Sequence, residues 1–292
     1  MAHVIPGIED KARKGIALML VTWLTFAVLD TSAKWAAVAG LPAAQIAFFR
    51  YIGHFGISAA LTMRDPDNRR LPPQFGLLTL RGLLVAGATL SNFWILTVLP
   101  LTVTSAIMFS SPVIVCFLSV TILRENVGLW RWGAILLGFA GVLIVIRPFG
   151  AAFHPMMLLA LMNAVFIAVY SLITRAMAGK VSTDVMQFWM GFWGTAVTLP
   201  LALWHWQAPQ DTTLWIILGA VGVLGWFGHQ CMTAAHRFAT ANTLMPFTYS
   251  FLLYLTVLSY VVFGHVPNFW TILGALVIMG SGLIIWYREG QK

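Results

Sequence analysis

A carboxylate stands among apolar neighbours at Asp30, and Lys34 follows four residues later, one helical turn on and on the same face. Arg50 and His54 repeat that spacing in the next apolar stretch, and His229 lies in a later one. Ionisable groups in such surroundings are costly to keep charged, so each is a candidate for contact with a solute or a proton. Two readings of Asp30 stand side by side. It neutralises itself with Lys34, or it meets a substrate ammonium or a proton. His54 and His229 read as neutral imidazoles satisfied by neighbouring carbonyls, with protonation near neutral pH as the alternative. Asn92, Ser110, Ser111, Asn163, Tyr170, Gln230 and Tyr249 add neutral polar groups in the middle of other stretches. Hydrogen bonding between helices accounts for any one of them. Taken together they suit a polar patch for an amino or carboxylate group. Trp23, Trp193 and Trp226, with Phe109, Phe166 and Phe247, supply the walls of an apolar cavity, or simply core packing. The substrate-binding candidates are therefore Trp23, Asp30, Asn92, Phe109, Ser110, Ser111, Asn163, Tyr170, Trp226, His229, Gln230 and Tyr249.

Catalytic signatures do not accompany these residues. The chain has no HExxH, no G-x-S-x-G and no paired intramembrane carboxylates, and a single Asp with scattered His does not assemble a metal-hydrolysis site. No GxxxxGK[ST] phosphate loop exists, so ATP is not the direct energy source. No cofactor or metal is expected. A channel would more often carry rings of charge or a repeated filter segment.

The elements that must position these groups are membrane spans. Of the 292 residues 60% are hydrophobic and 9% charged, against about 25% charged in a typical soluble domain. A helix crossing the ~30 Å hydrocarbon layer needs about 20 apolar residues. Ten stretches qualify: 15–38, 42–63, 75–99, 103–123, 129–146, 155–178, 185–204, 213–235, 241–263 and 269–287. Fourteen of the 17 Lys and Arg fall in alternate connections and the two tails, and only Arg147 falls on the other side. Lys34 and Arg50 lie within spans. Basic residues stay on the cytoplasmic side. The chain is thus expected to be a polytopic membrane protein with both termini cytoplasmic. The net charge of +8 follows membrane edges and anionic headgroups rather than a nucleic acid. Cys116 and Cys231 both lie in spans, so no disulfide framework is indicated.

Pro112 and Pro246 stand out among the prolines within spans. Pro112, after Ser110-Ser111, and Pro246, near the start of span nine, each remove a backbone donor and can bend a helix, which makes them gating candidates. In span eight Gly219, Gly222, Gly225 and Gly228 recur every three residues, for close packing or a hinge. Residues n and n + 140 also match: Phe26 with Phe166, Trp130 with Trp270. After one residue of slippage Gly133-Ala134 matches Gly274-Ala275, and Gly141 matches Gly282. Spans one to five would correspond to six to ten. Five is odd, so the second copy enters from the opposite side, as in inverted-repeat transporters.

The segment SSPVIVCFLSVTILRENVGLWRWGAILLGFAGVLIVIRP resembles the EamA type of the drug/metabolite transporter superfamily. It carries Pro112, Glu125, Gly133, Gly138 and Gly141 at the family's positions. MPFTYSFLLYLTVLSYVVFGHVPNFWTILGALVIMGSGLII is similar in Pro246, Phe247, Tyr249, Phe263, Gly264, Pro267, Gly274 and Gly282, with His265 where the family usually has Glu. The resemblance implies an all-α fold of ten transmembrane helices in two inverted five-helix repeats, 1–150 and 151–292. It implies a central cavity lined by helices one to four and six to nine, and a structural role for Arg50. Among members the chain looks most like bacterial exporters of amino acids and aromatic metabolites; drugs, nucleobases and sugar derivatives are the alternative cargo. The expected partners are a small-molecule substrate and membrane lipid. The protein would be a monomer or weak homodimer, with Ala134, Gly138 and Gly141 either pairing monomers or packing against their own bundle.

Overall fold

A computed structural model describes residues 12–69, 72–111, 113–115, 117–118, 129–147, 150, 153–177, 180–238 and 244–289. Among them are ten α-helices: α1 (Ala12–Val38), α2 (Ala43–Thr62), α3 (Phe75–Val98), α4 (Leu101–Met108), α5 (Leu129–Ile146), α6 (Met156–Met177), α7 (Thr183–Trp204), α8 (Thr212–Phe238), α9 (Ser250–Phe263) and α10 (Phe269–Glu289). Short 3₁₀ turns occupy Pro66–Arg69 and Met245–Tyr249. The regions of α1, α3, α6 and α8 are long and apolar enough to cross a membrane. Shorter apolar segments cover Leu101–Val115, Trp132–Ile146, Phe247–Phe263 and Phe269–Ile284. Large apolar side chains face outward along whole helices, among them Leu136 and Phe139 on α5 and Leu253, Val257 and Val261 on α9. A water-soluble surface would not carry such a belt.

Spans four and nine are not single α-helices. α4 stops at Met108, and the Phe109 N–H closes the turn onto the Ser105 and Ile107 carbonyls. Pro112 lies outside the described residues; lacking an N–H, it removes the donor that the Met108 carbonyl would otherwise meet. In span nine the tighter turn Met245–Tyr249 carries Pro246 at its start, and the α-helix begins only at Ser250. Phe109 and Tyr249, 140 residues apart, both sit at these breaks, with ring centroids 5.4 Å apart.

The helices pack as α1 on α8 and α9, α2 on α7 and α8, α3 on α6 and α7, α4 on α6 and α9, and α5 on α10. Missing side chains set the closest crossings. A methyl group at Gly222 would lie 2.9 Å from the Gly53 Cα and 3.0 Å from the Phe49 carbonyl oxygen. On α5, Gly141 faces the Gly274 carbonyl and Ile278, and the Ser281 hydroxyl donates to the Ala134 carbonyl at 2.7 Å. The small-residue face of span five therefore packs against its own bundle rather than lying open to a second copy.

Gly222→Ala should lower thermal stability in detergent by about 1–3 kcal/mol, because backbone must move to admit the methyl. Gly219→Ala, where nothing stands within 4 Å, should leave the unfolding midpoint unchanged or slightly raised. Equal midpoints for the two variants would contradict the close crossing.

Candidate substrate site

Each ionised group among the packed helices has an identifiable environment. Lys34 is buried and does not pair with Asp30. Its Nζ donates to the Leu96 and Leu99 carbonyls at 2.9 and 2.6 Å, at the C-terminus of α3. Those carbonyls have no partner within their own helix, and the helix dipole is negative there, so the ammonium is held by backbone rather than by a carboxylate.

Asp30 instead faces Asn92 of α3, whose Nδ2 is 3.4 Å from both carboxylate oxygens. Arg50 of α2 donates from Nη1 to Thr89 Oγ1 at 2.9 Å. The Tyr51 hydroxyl donates to the Val85 carbonyl at 2.8 Å and shares a 2.7 Å contact with the same Thr89 hydroxyl. The Arg50 guanidinium lies 5.8 Å from the centre of the Phe93 ring. Its side chain occupies the space that opens at Gly225 of α8, where Leu29 of α1 also packs. Arg50 and Asp30 thus reach one interior region from different helices.

Arg81 of α3 is buried without a carboxylate. Nε donates to Thr174 Oγ1 at 2.9 Å, Nη1 to the Met186 carbonyl at 2.9 Å and Nη2 to the Tyr170 hydroxyl at 2.8 Å, while the guanidinium stacks 4.6 Å from the Tyr170 ring centre. It ties α3, α6 and α7 together through neutral oxygens.

Aromatic rings run between these polar points. His54 and His229 are 5.8 Å apart, His229 and Phe26 5.1 Å, Phe26 and Trp23 5.9 Å, and Trp23 and Phe251 5.3 Å. Phe251 continues to Phe109 at 6.5 Å, and Phe109 to Tyr249. The string draws on α1, α2, α8, α9 and the breaks in spans four and nine. Several polar atoms along and near it are buried without a hydrogen-bond partner: Trp23 Nε1, Trp226 Nε1, His54 Nε2, Ser110 Oγ, and both Nδ2 and Oδ1 of Asn163. The expected carbonyl partner for the His54 imidazole is therefore not made at Nε2. Orphaned polar atoms at such depth are expensive, and a bound solute or water is their usual partner.

Apolar clusters hold both ends of the bundle among the described residues. At the end away from the chain termini one cluster joins α1, α2, α3, α8 and α9 to the start of α4, with Ala36, Leu41, Ile46, Leu96, Leu101 and Leu218 in its core, and a second joins α4, α5, α6 and α10 through Val103, Val145, Ile146, Met157 and Ala275. Toward the termini the described packing includes one cluster of Met19, Ala235 and Leu244 and a separate one of Leu78, Met177, Val185 and Met186.

The model of the EamA-like transporter family matches twice, over residues 13–147 and 154–287. The chain belongs to the EamA-like transporter family. It is a membrane transporter of small molecules within the drug/metabolite transporter superfamily. Similar proteins include a riboflavin transporter of Vibrio cholerae, 30% identical over 98% of this chain and 97% of its own length. An S-adenosylmethionine uptake transporter of Rickettsia prowazekii is 26% identical over 95% of this chain and 94% of its own. The pseudopaline exporter CntI of Pseudomonas aeruginosa is 26% identical over 92% and 95%. A solved crystal structure aligns with a TM-score of 0.64 at 19% identity, covering 95% of this chain and 96% of that one, which extends the likeness to the fold.

Within this EamA-like transporter the sequence candidates separate into groups. Trp23, Phe109, His229 and Tyr249 belong to the aromatic string. Asp30 and Asn92 are paired with each other. Ser111 is buried beside Ser110, and half-buried Gln230 follows His229 on α8. Asn163 is buried on α6 with its amide unpartnered. Tyr170 is engaged by Arg81 and so serves as an anchor for that guanidinium. Pro246 stands at a break in the chain, and Pro112 falls outside the described residues. Arg81 and Thr89 were missing from the candidate list. Arg81 counted only as a charge near a span end, although it stands six residues inside α3 and one turn from the first helical residue's own turn, a depth at which a guanidinium requires acceptors.

Arg81→Lys should reduce stability by about 1.5–3 kcal/mol, since one ammonium cannot reach Thr174, Met186 and Tyr170 together. Thermal unfolding in detergent measures it; a midpoint equal to wild type would contradict the three-helix tie.

Proposed function

We propose that this EamA-like transporter is a secondary transporter that exports amino acids or related small metabolites, aromatic ones included, across a bacterial inner membrane by alternating access. Both termini lie in the cytoplasm in this reading, which the placement of Lys and Arg supports. The observation that carries it is the group of interior polar atoms without a hydrogen-bond partner, Trp23 Nε1, Trp226 Nε1, His54 Nε2 and both amide atoms of Asn163, near the charged side chains of Asp30 and Arg50. A small polar solute entering the bundle would supply the partners those atoms lack. The named relatives include a riboflavin transporter, an uptake transporter and an exporter, and their cargoes differ in chemistry. Cargo specificity for amino acids therefore rests on this chain's own residues.

We further propose that the chain is two inverted halves, 1–150 and 151–292. The contacts support it, because they recur under a shift of 140 or 141 residues. Phe26 packs on Gly228 between α1 and α8, and Phe166 packs on Gly87 between α6 and α3. Gly53 meets Gly222 between α2 and α8, and Trp193 meets Gly82 between α7 and α3. Helices related by such a shift exchange roles, so closing one end and opening the other needs only an exchange of two similar packings.

The test is counterflow in proteoliposomes loaded with unlabelled solute, using labelled amino acids, S-adenosylmethionine, riboflavin and nucleosides. Accumulation of at least one probe without ATP is expected. Accumulation of none would contradict the transporter reading. Single cysteines placed at Ala39 and Gly76 should label from opposite faces of the membrane; labelling from the same face would remove the proposed orientation.

A further inference from the structure

Three cations and one carboxylate lie among the packed contacts of α1, α2 and α3, and two of the cations are already accounted for. Lys34 is held by backbone carbonyls and Arg81 by three neutral oxygens. Arg50 and Asp30 remain. Arg50 uses one of its five N–H donors, on Thr89. Asp30 receives only the two 3.4 Å contacts from a single Asn92 nitrogen, at the long limit of a hydrogen bond. No ion pair within 4.0 Å joins the two among the described residues. They nevertheless converge. Leu29, next to Asp30, and the Arg50 side chain both pack at Gly225, and Phe93, next to Asn92, lies under the guanidinium. Both charged groups keep part of their surface uncovered, while Leu29, Thr89 and Phe93 around them are buried.

An oppositely charged pair in a low-dielectric interior gains most by touching. A pair held close but apart leaves an anion receptor and a cation receptor side by side. We propose that Arg50 and Asp30 form a zwitterion clasp, in which the Arg50 guanidinium takes a substrate carboxylate and Asp30, held by Asn92, takes an ammonium on the same carbon. The clasp rests on the transporter reading and assigns its site a ligand class: molecules bearing an α-amino-acid head. The guanidinium offers two parallel donors to a carboxylate, and a carboxylate is the acceptor an ammonium requires. Such a substrate brings both of its charges and finds both compensated, so the transfer across lipid leaves no net unpaired charge. The side chain beyond the head would extend along the aromatic string, where Trp23 and His229 stand.

The experiment uses the purified full-length protein and three forms each of methionine and tryptophan: the free amino acid, its methyl ester and its N-acetyl derivative. Thermal unfolding against ligand concentration reads apparent affinity. At least one free amino acid should stabilise the wild type, and either blocked form should need roughly tenfold more ligand, as loss of one charge-assisted bond implies. Arg50→Gln should erase the preference over the ester and keep that over the N-acetyl form. Asp30→Asn should do the reverse. Stabilisation by neither amino acid, or equal affinity for all three forms in the wild type, would overturn the clasp without reference to any variant's folding. Counterflow separates this from the broader reading: transport of a probe with no selectivity for its end groups removes the clasp and leaves the transporter.

Discussion

A hydrocarbon layer offers no hydrogen bonds, and every polar group carried into it must find its partner inside the protein. That constraint organises this bundle. Lys34 finds it at the open carbonyls ending α3, Arg81 at two hydroxyls and a carbonyl from α6 and α7, and the threonines of α1 at the carbonyls four residues behind them. Because most groups are satisfied this way, the exceptions stand out. Asp30, Arg50 and the unpartnered atoms of Trp23, Trp226, His54 and Asn163 are where a solute could supply what the protein does not.

Close helix approach is the second condition. Lipid provides no hydrophobic drive between apolar helices, so contact area has to come from fit. Gly53 against Gly222, Gly191 and Gly194 against Phe55 and Tyr51, and Gly141 against Gly274 let backbones and rings meet where a methyl group would not fit. The α2–α7 pair is also tied at both ends: Gln45 exchanges two hydrogen bonds with the Gln207 backbone, and the Thr62 hydroxyl donates to the Asp184 carbonyl. α5 and α10 pack on one another in the same way, through Gly141, Gly274 and Ile278.

Much of this was legible in the sequence. Ten apolar stretches and alternating basic loops fixed the number and order of helices, because hydropathy and length are summed over many residues and tolerate local error. The glycine run in span eight pointed to packing for the same reason. The breaks near Phe109 and Tyr249 were foreshadowed by Pro112 and Pro246, though not their form, since a tightened turn depends on which carbonyl remains available. Side-chain partners were the least legible. Helical spacing put Lys34 on the face of Asp30, but the nearest acceptors came from α3, more than sixty residues away. Arg81 read as a boundary charge because the residues that hold it, Tyr170, Thr174 and Met186, lie on helices whose proximity no local pattern reveals. Asn92 was visible as a polar residue in a span; its pairing with Asp30 required the crossing of α1 and α3.

Alternating access, as proposed, requires a reciprocal motion: the end packed by the cluster of α1–α4, α8 and α9 would open as the termini end closes. Spin-label distances in lipid, between positions 14 and 76 at the termini end and between 38 and 98 at the other, measure it directly. Adding the solute that counterflow identifies should shorten part of the first distribution and lengthen part of the second. Distances that move together, or do not move at all, would contradict alternating access.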